Sequence, residues 1–229
     1  MKVIVCGDSF NCNDALYPGV HWTEKIVQLN SSIDLTNLSI CGASNLLIHL
    51  QIDSAIKSKP DYIIVNFTSS LRTNIRYKNV KTTGEMISRF YKLNSANNDN
   101  TDLISFPYSG IDIFNNINDA QQTLLKTYLL DCVDLDVARL ENYYIINSAL
   151  NSLLDSNIKF LYGAGGFDYK KFLKPGDIKY QFPKFIDYEI QFNLWDHWDV
   201  WRNVRPYFHV TDEVVHHNLA SHYLSKLTQ

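Results

Sequence analysis

Residues that would mark a metalloprotein or a disulfide scaffold are scarce in this chain of 229 residues. The four cysteines, Cys6, Cys12, Cys41 and Cys132, show neither metal-ligand spacing nor a disulfide-framework pattern. Cys6 and Cys41 lie in apolar, strand-like stretches and read as small buried hydrophobes, which points to a reducing compartment. Basic excess is missing too: 21 Lys and Arg stand against 24 Asp and Glu, a net charge of −3. Such a surface has no phosphate-binding field, so nucleic acid is not an expected partner. No apolar run approaches the roughly 20 residues of a membrane span. The N-terminus carries one lysine and then a strand, unlike a signal peptide. These absences lead to the expectation of a cytoplasmic, soluble protein with no membrane partner.

What remains is ordinary globular composition, 45% hydrophobic and 20% charged. The length suits one domain with one substantial core, and no repeat or long linker divides residues 1–229. Val3-Ile4-Val5-Cys6 reads as a buried first strand. Trp22, Ile26, Val27 and Leu29 follow at near-helical spacing, and Asp34 to Ile40 reads as a second strand. Leu46 to Ile56 is helical in spacing and closed by Pro60. Tyr62 to Phe67 is a third buried strand. This β-α-β-α-β order predicts an α/β fold: a doubly wound, mostly parallel sheet with helices on both faces.

Residues 72–118 look polar and irregular, and about 73–135 form an irregular or helical insert. Helices are expected over 119–130 and 136–154, the second with Val137, Leu140, Tyr144, Ile145, Ala149 and Leu153 near one face. Ile158 to Tyr162 reads as a fourth strand. An aromatic-rich loop spans 167–208, and a last helix ends near Leu227 with Leu219, Tyr223 and Leu227 as its stripe. Thr211, Asp212 and Asn218 all suit its N-cap.

The chemistry-bearing feature is Gly7-Asp8-Ser9-Phe10, directly after the first strand. A serine on that turn stands at the carboxyl edge of the sheet, where open α/β folds place ligands. Backbone N–H groups there can face a developing negative charge. The same three residue types also form ordinary turns. Beyond it, Gly42 follows strand two, Thr68-Ser69-Ser70 follows strand three, and His216-His217-Asn218 lies near the last helix.

In that order these blocks resemble the SGNH (GDSL-type) hydrolases, specifically over the first ~70 residues and at the C-terminus. The resemblance implies a flavodoxin-like three-layer sandwich and a serine esterase cleaving a small acyl ester, such as acetylated carbohydrate. It assigns Ser9 as nucleophile and the Ser9 and Gly42 N–H groups as oxyanion donors, Gly42 closing Asn37-Leu38-Ser39-Ile40-Cys41-Gly42. Two blocks depart from the family. Its Gly-x-Asn-Asp is replaced by Thr68-Ser69-Ser70-Leu71, which puts Ser70 where the oxyanion asparagine is expected; Asn66 is the nearest asparagine. The closing Asp-x-x-His can be read with His216 and Glu213, or with His209, where Pro206 takes the acid's place. The first register keeps the family's later spacing through His222 and is preferred. It is eased by a helix start near Asn218, and Asp212 rivals Glu213 as orienting acid.

His216, His217 and His222 lack an H-E-x-x-H pattern, so no metal is assigned and no cofactor is called for. The aromatic run from Phe182 to Phe208 reads as a satellite core under a loop, with Trp195 and Trp198 as lid candidates. An inactive binding protein on the same fold is the alternative to the esterase.

Overall fold

A computed structural model describes residues 1–13, 18–40, 43–69, 72–76, 103–107, 123, 127, 134–163, 183–189 and 212–228. Four strands, β1 (Lys2–Cys6), β2 (Asp34–Asn37), β3 (Tyr62–Asn66) and β6 (Lys159–Gly163), form one parallel sheet in the order β2-β1-β3-β6. The doubly wound α/β reading is correct. The two central strands, β1 and β3, are short β-branched runs, and alternate residues serve opposite faces. Val3, Val5, Tyr62, Ile64 and Leu161 face one core, with Trp22 and Ile26 of α1 (Trp22–Leu29) and Leu219, Tyr223 and Leu227 of α4 (Glu213–Leu227). Ile4, Cys6, Ile63, Val65, Phe160 and Tyr162 face the other, under α2 (Asn45–Lys57) and α3 (Leu135–Asp155). Trp22 stacks on Tyr223 with centroids 4.7 Å apart, which locks α1 to α4.

Several expectations need correction. The second strand stops at Asn37 rather than Ile40. The polar stretch after residue 72 contains an antiparallel pair, β4 (Arg72–Arg76) and β5 (Leu103–Pro107). On α3 the buried face is Ala138, Asn142, Ile146, Ala149, Leu150 and Leu153, whereas Val137, Leu140 and Tyr144 are exposed. The helix has apolar residues on two faces, and a buried asparagine interrupts the one that faces inward. The last helix starts at Glu213, not near Asn218, because Asp212 caps it through Oδ1 accepting from Val214 N–H at 2.8 Å.

The expected helix over 119–130 is described only at residues 123 and 127, both helical. Within 167–208 only the 3₁₀ helix Pro183–Tyr188 and Glu189 are described; Phe185 is buried in the core under α2 and α3, and Tyr188 stacks on Phe160. Cys41, Cys132, Trp195 and Trp198 lie outside the described residues. Among the described residues no helix is long and apolar enough to cross a membrane.

The end of β1 is tightly packed. A Cβ on Gly7 would stand 2.0 Å from Asn11 Nδ2, 2.9 Å from Asn11 Cγ and 3.2 Å from the Asn66 carbonyl oxygen. Asn11 is itself fully buried and cannot swing into solvent. Gly7→Ala is therefore expected to lose about 1–3 kcal/mol, the range for overpacking. Urea unfolding would show a lower midpoint; a midpoint equal to wild type would mean that Asn11 yields freely.

Candidate active site

In a sheet ordered β2-β1-β3-β6 the chain leaves β1 toward one side and β3 toward the other, so a crevice opens between their carboxyl ends. Gly7-Asp8-Ser9-Phe10 occupies that place. Gly7, Asp8 and Phe10 are buried, and Ser9 alone in the turn keeps partial exposure.

Asp8 is 0% exposed, and a carboxylate so placed must be satisfied. Phe10 N–H donates to Oδ1 at 3.0 Å, and the Thr68 hydroxyl donates to Oδ2 at 2.6 Å. Arg72 Nη2 lies 3.3 Å from Oδ2, while its Nη1 donates to the Ala43 carbonyl at 3.0 Å. Asn11 N–H closes the turn on the Asp8 carbonyl at 3.0 Å.

Two side-chain amides complete the strand ends. Gln51 of α2 accepts from Gly7 N–H at 2.7 Å and donates to the Gly7 carbonyl at 3.1 Å. Asn45 accepts from Thr68 N–H at 2.9 Å and donates to the Thr68 carbonyl at 3.0 Å, and its Nδ2 also donates to Asn142 Oδ1 at 2.9 Å. Each amide supplies both halves of the pairing that a neighbouring strand would give. A third chain runs from α4 into the crevice. The Tyr223 hydroxyl donates to Asn66 Oδ1 at 2.9 Å, and Asn66 Nδ2 donates to Asn11 Oδ1 at 2.7 Å. Burial raises the Tyr223 hydroxyl well above its usual value, so it stays a neutral donor.

His216 lies in the first turns of α4 and is buried. Its Nδ1 accepts from Trp22 N–H at 3.2 Å, and its ring is 5.1 Å from that of His21. His21 caps α1, accepting from Thr23 N–H at Nδ1, while Nε2 lies 3.0 Å from the Phe10 carbonyl. A carbonyl only accepts, so His21 holds its proton on Nε2. His216 thus connects to the Ser9 turn through His21.

Glu213 is exposed at the start of α4 and paired with Lys25 of α1, which holds its carboxyl below the usual range. Asp212 serves as the α4 cap. Gly42, Ser70 and His209 lie outside the described residues, though Ala43 and Ser69 border the first two. Asn66 is occupied by Tyr223 and Asn11.

No sequence-family model matches the chain, and no curated protein matches it by sequence. Solved structures do match. The psychrotrophic esterase EstA from Pseudoalteromonas sp., in a structure inhibited by monoethylphosphonate, gives a TM-score of 0.50 at 9% identity, covering 99% of this chain and 96% of that one. The acetyl xylan esterase AlAXEase gives 0.48 at 12% identity, covering 99% of each chain. A member of the lipolytic protein G-D-S-L family from Veillonella parvula gives 0.48 at 13%, covering 100% of this chain and 98% of that one. In fold, this chain is similar to the esterase EstA. The likeness is structural rather than one of sequence.

Sequence reasoning missed most of the residues that support the turn. Gln51 and Asn142 had a signal, since each is a polar residue at a core-facing helical position. His21 had one as well, three residues before Glu24, which completes its capping box. Nothing in the sequence singles out Arg72.

Burial lowers His21 from 6.5 to about 3, with the adjacent His216 adding to the shift and the Phe10 carbonyl opposing it. The unfolded chain therefore binds this proton more readily. Stability from His21 is fully present above about pH 6.5 and is lost as pH falls toward 3. His21→Gln keeps a donor for Phe10 and removes the titration. Its acid limb should be shallower than wild type by up to one proton, about 1.4 kcal/mol per pH unit. Urea unfolding between about pH 7 and pH 4, where the unfolded imidazole gains its proton, measures this, and parallel curves would refute it.

Proposed function

We propose that this protein is a serine esterase with Ser9 as nucleophile, acting on a small acyl ester such as an acetylated carbohydrate. The observation that carries this reading is the turn itself: Ser9 keeps partial exposure at the sheet's switch point while its neighbours are buried and bonded in place. The EstA-like fold supports it.

In this reading Ser9 Oγ attacks the ester carbonyl carbon as His216 Nε2 takes the hydroxyl proton. The Ser9 and Gly42 N–H groups and the Ser70 hydroxyl hold the oxyanion. Collapse expels the alcohol, which leaves with the proton from His216. Water activated by the same imidazole then releases the acid and frees Ser9.

A base at Nε2 carries its own proton on Nδ1, the atom that accepts Trp22 N–H at rest. Turnover therefore begins by breaking that contact, a loss of about 0.5–1.5 kcal/mol for an ordinary hydrogen bond. The competent population falls by roughly 2–13-fold as a result. Glu213, one helical turn before His216, takes the Nδ1 proton's hydrogen bond in this reading after leaving Lys25.

Hydrolysis of p-nitrophenyl acetate should fall at least about 10³-fold in Ser9→Ala, as for other triad nucleophiles. A fluorophosphonate probe, chemically related to the inhibitor bound to EstA, should label wild type at Ser9 and leave the variant unlabelled. Equal hydrolysis by both proteins, with no adduct at Ser9, would remove Ser9 as nucleophile and leave the binding-protein alternative.

A further inference from the structure

We infer that Arg72 is the positioning residue of this site, holding the three strand-end turns in one register through its guanidinium, which reaches two of them, and its backbone N–H, which closes the third. The assignment rests on the esterase reading of Ser9 for its catalytic consequence and on geometry for its placement.

Arg72 opens β4, and its N–H donates to the Ser69 carbonyl at 3.3 Å, closing the turn that leaves β3. From there one arm of the side chain reaches Asp8 Oδ2 at 3.3 Å, on the turn that leaves β1. The other arm donates to the Ala43 carbonyl at 3.0 Å, on the segment that follows β2. Each contacted residue borders a position of the site. Asp8 precedes Ser9, Ala43 follows Gly42, and Ser69 precedes Ser70.

The side chain is 8% exposed and its carboxylate partner 0%, so solvent offers little substitute for either contact. Thr68 strengthens the clamp, since its hydroxyl donates to the same carboxylate oxygen while Asn45 fixes its backbone. The planar fork matters because the two acceptors belong to different turns. A lysine ammonium presents the charge at one point and has no rigid second arm. Arg72 acts on the proposed reaction by holding the Ser9 turn in register with Ala43 and Ser69, without touching substrate.

Two variants test this. Arg72→Lys keeps the charge beside Asp8 and loses the span to Ala43. The double variant Asp8→Asn/Arg72→Met removes both charges together; the amide that replaces the carboxylate can still accept from Phe10 N–H and donate to the Thr68 hydroxyl. Both should fold, checked by far-ultraviolet circular dichroism and thermal melting. In Arg72→Lys, KM for p-nitrophenyl acetate should stay within about threefold while kcat and the fluorophosphonate labelling rate fall about 10–100-fold, the scale for ångström misplacement. The double variant should lose at least as much. Either variant folded with wild-type kcat and labelling rate overturns the assignment.

If wild type neither labels nor hydrolyses, the esterase reading fails, and hydrogen exchange decides the positioning role alone. Exchange at the Phe10 and Ala43 amides should quicken at least about tenfold together in Arg72→Lys, with Ile64 in the core unchanged, as expected for local opening. Unchanged exchange at both turns overturns it.

Discussion

A carboxylate taken wholly out of water is the constraint on which this structure turns. Removing one partner from such a buried pair costs about 3–5 kcal/mol, a large share of the stability of a domain this size. Asp8 therefore dictates where its partners stand. Phe10 N–H must fold back over it, the Thr68 hydroxyl must reach it from the end of β3, and Arg72 must cross from the start of β4. Those demands leave the four-residue turn a single conformation, with Ser9 at its partly exposed corner. The role proposed for Ser9 needs that rigidity, because attack by a nucleophile depends on a narrow approach to the carbonyl.

Around that carboxylate the crevice is built from polar groups that satisfy one another. Gln51 and Asn45 act as pieces of missing strand, each closing both backbone positions of a residue where the sheet runs out. The two amides come from the first residue and the middle of the buried face of α2, so the helix that covers one core also finishes β1 and β3. Tyr223 does the corresponding work from the other layer, reaching Asn66 and through it Asn11. Both layers of the sandwich therefore converge on the switch point. Half-satisfied networks of this kind destabilise a core, whereas filled ones specify it, and this one holds the Ser9 turn from both faces.

The sheet was legible in the sequence because fully buried parallel strands are written as β-branched runs, as in Val3-Ile4-Val5 and Tyr62-Ile63-Ile64-Val65. β4 was not, since Arg-Thr-Asn-Ile-Arg carries one apolar residue and its pairing partner lies beyond a long polar stretch. α3 misled because Val137, Leu140 and Tyr144 keep helical spacing yet point outward, while the inward face passes through Asn142. For the candidate site, the Ser9 turn was legible because its residues are contiguous. Its supports were not, because hydrogen bonding joined residues 60, 97 and 157 positions apart in the chain. A polar residue at a core-facing position announces that a partner exists without saying which. Asp212 shows the same limit locally: it and Asn218 are equally good caps by type, and only the burial of Val215 and His216 inside the helix separates them.

His21 and His216 show how the packing beside the Ser9 turn restrains the imidazole proposed as its base. Both serve the start of α1, His21 through Thr23 N–H and His216 through Trp22 N–H. A helix start has donors in need of acceptors, and an imidazole nitrogen without a proton supplies one. At rest His216 therefore carries its proton on Nε2, the reverse of what a carboxylate at Nδ1 would impose. Trp22 belongs to the core, stacked on Tyr223 of the helix that carries His216, so this contact is part of how α1 and α4 pack. Loosening it would favour the tautomer that the proposed esterase needs and weaken the helix pair at once. Under that proposal stability and turnover are opposed at a single backbone N–H, while the Asp8 clamp on the other side of the turn serves both.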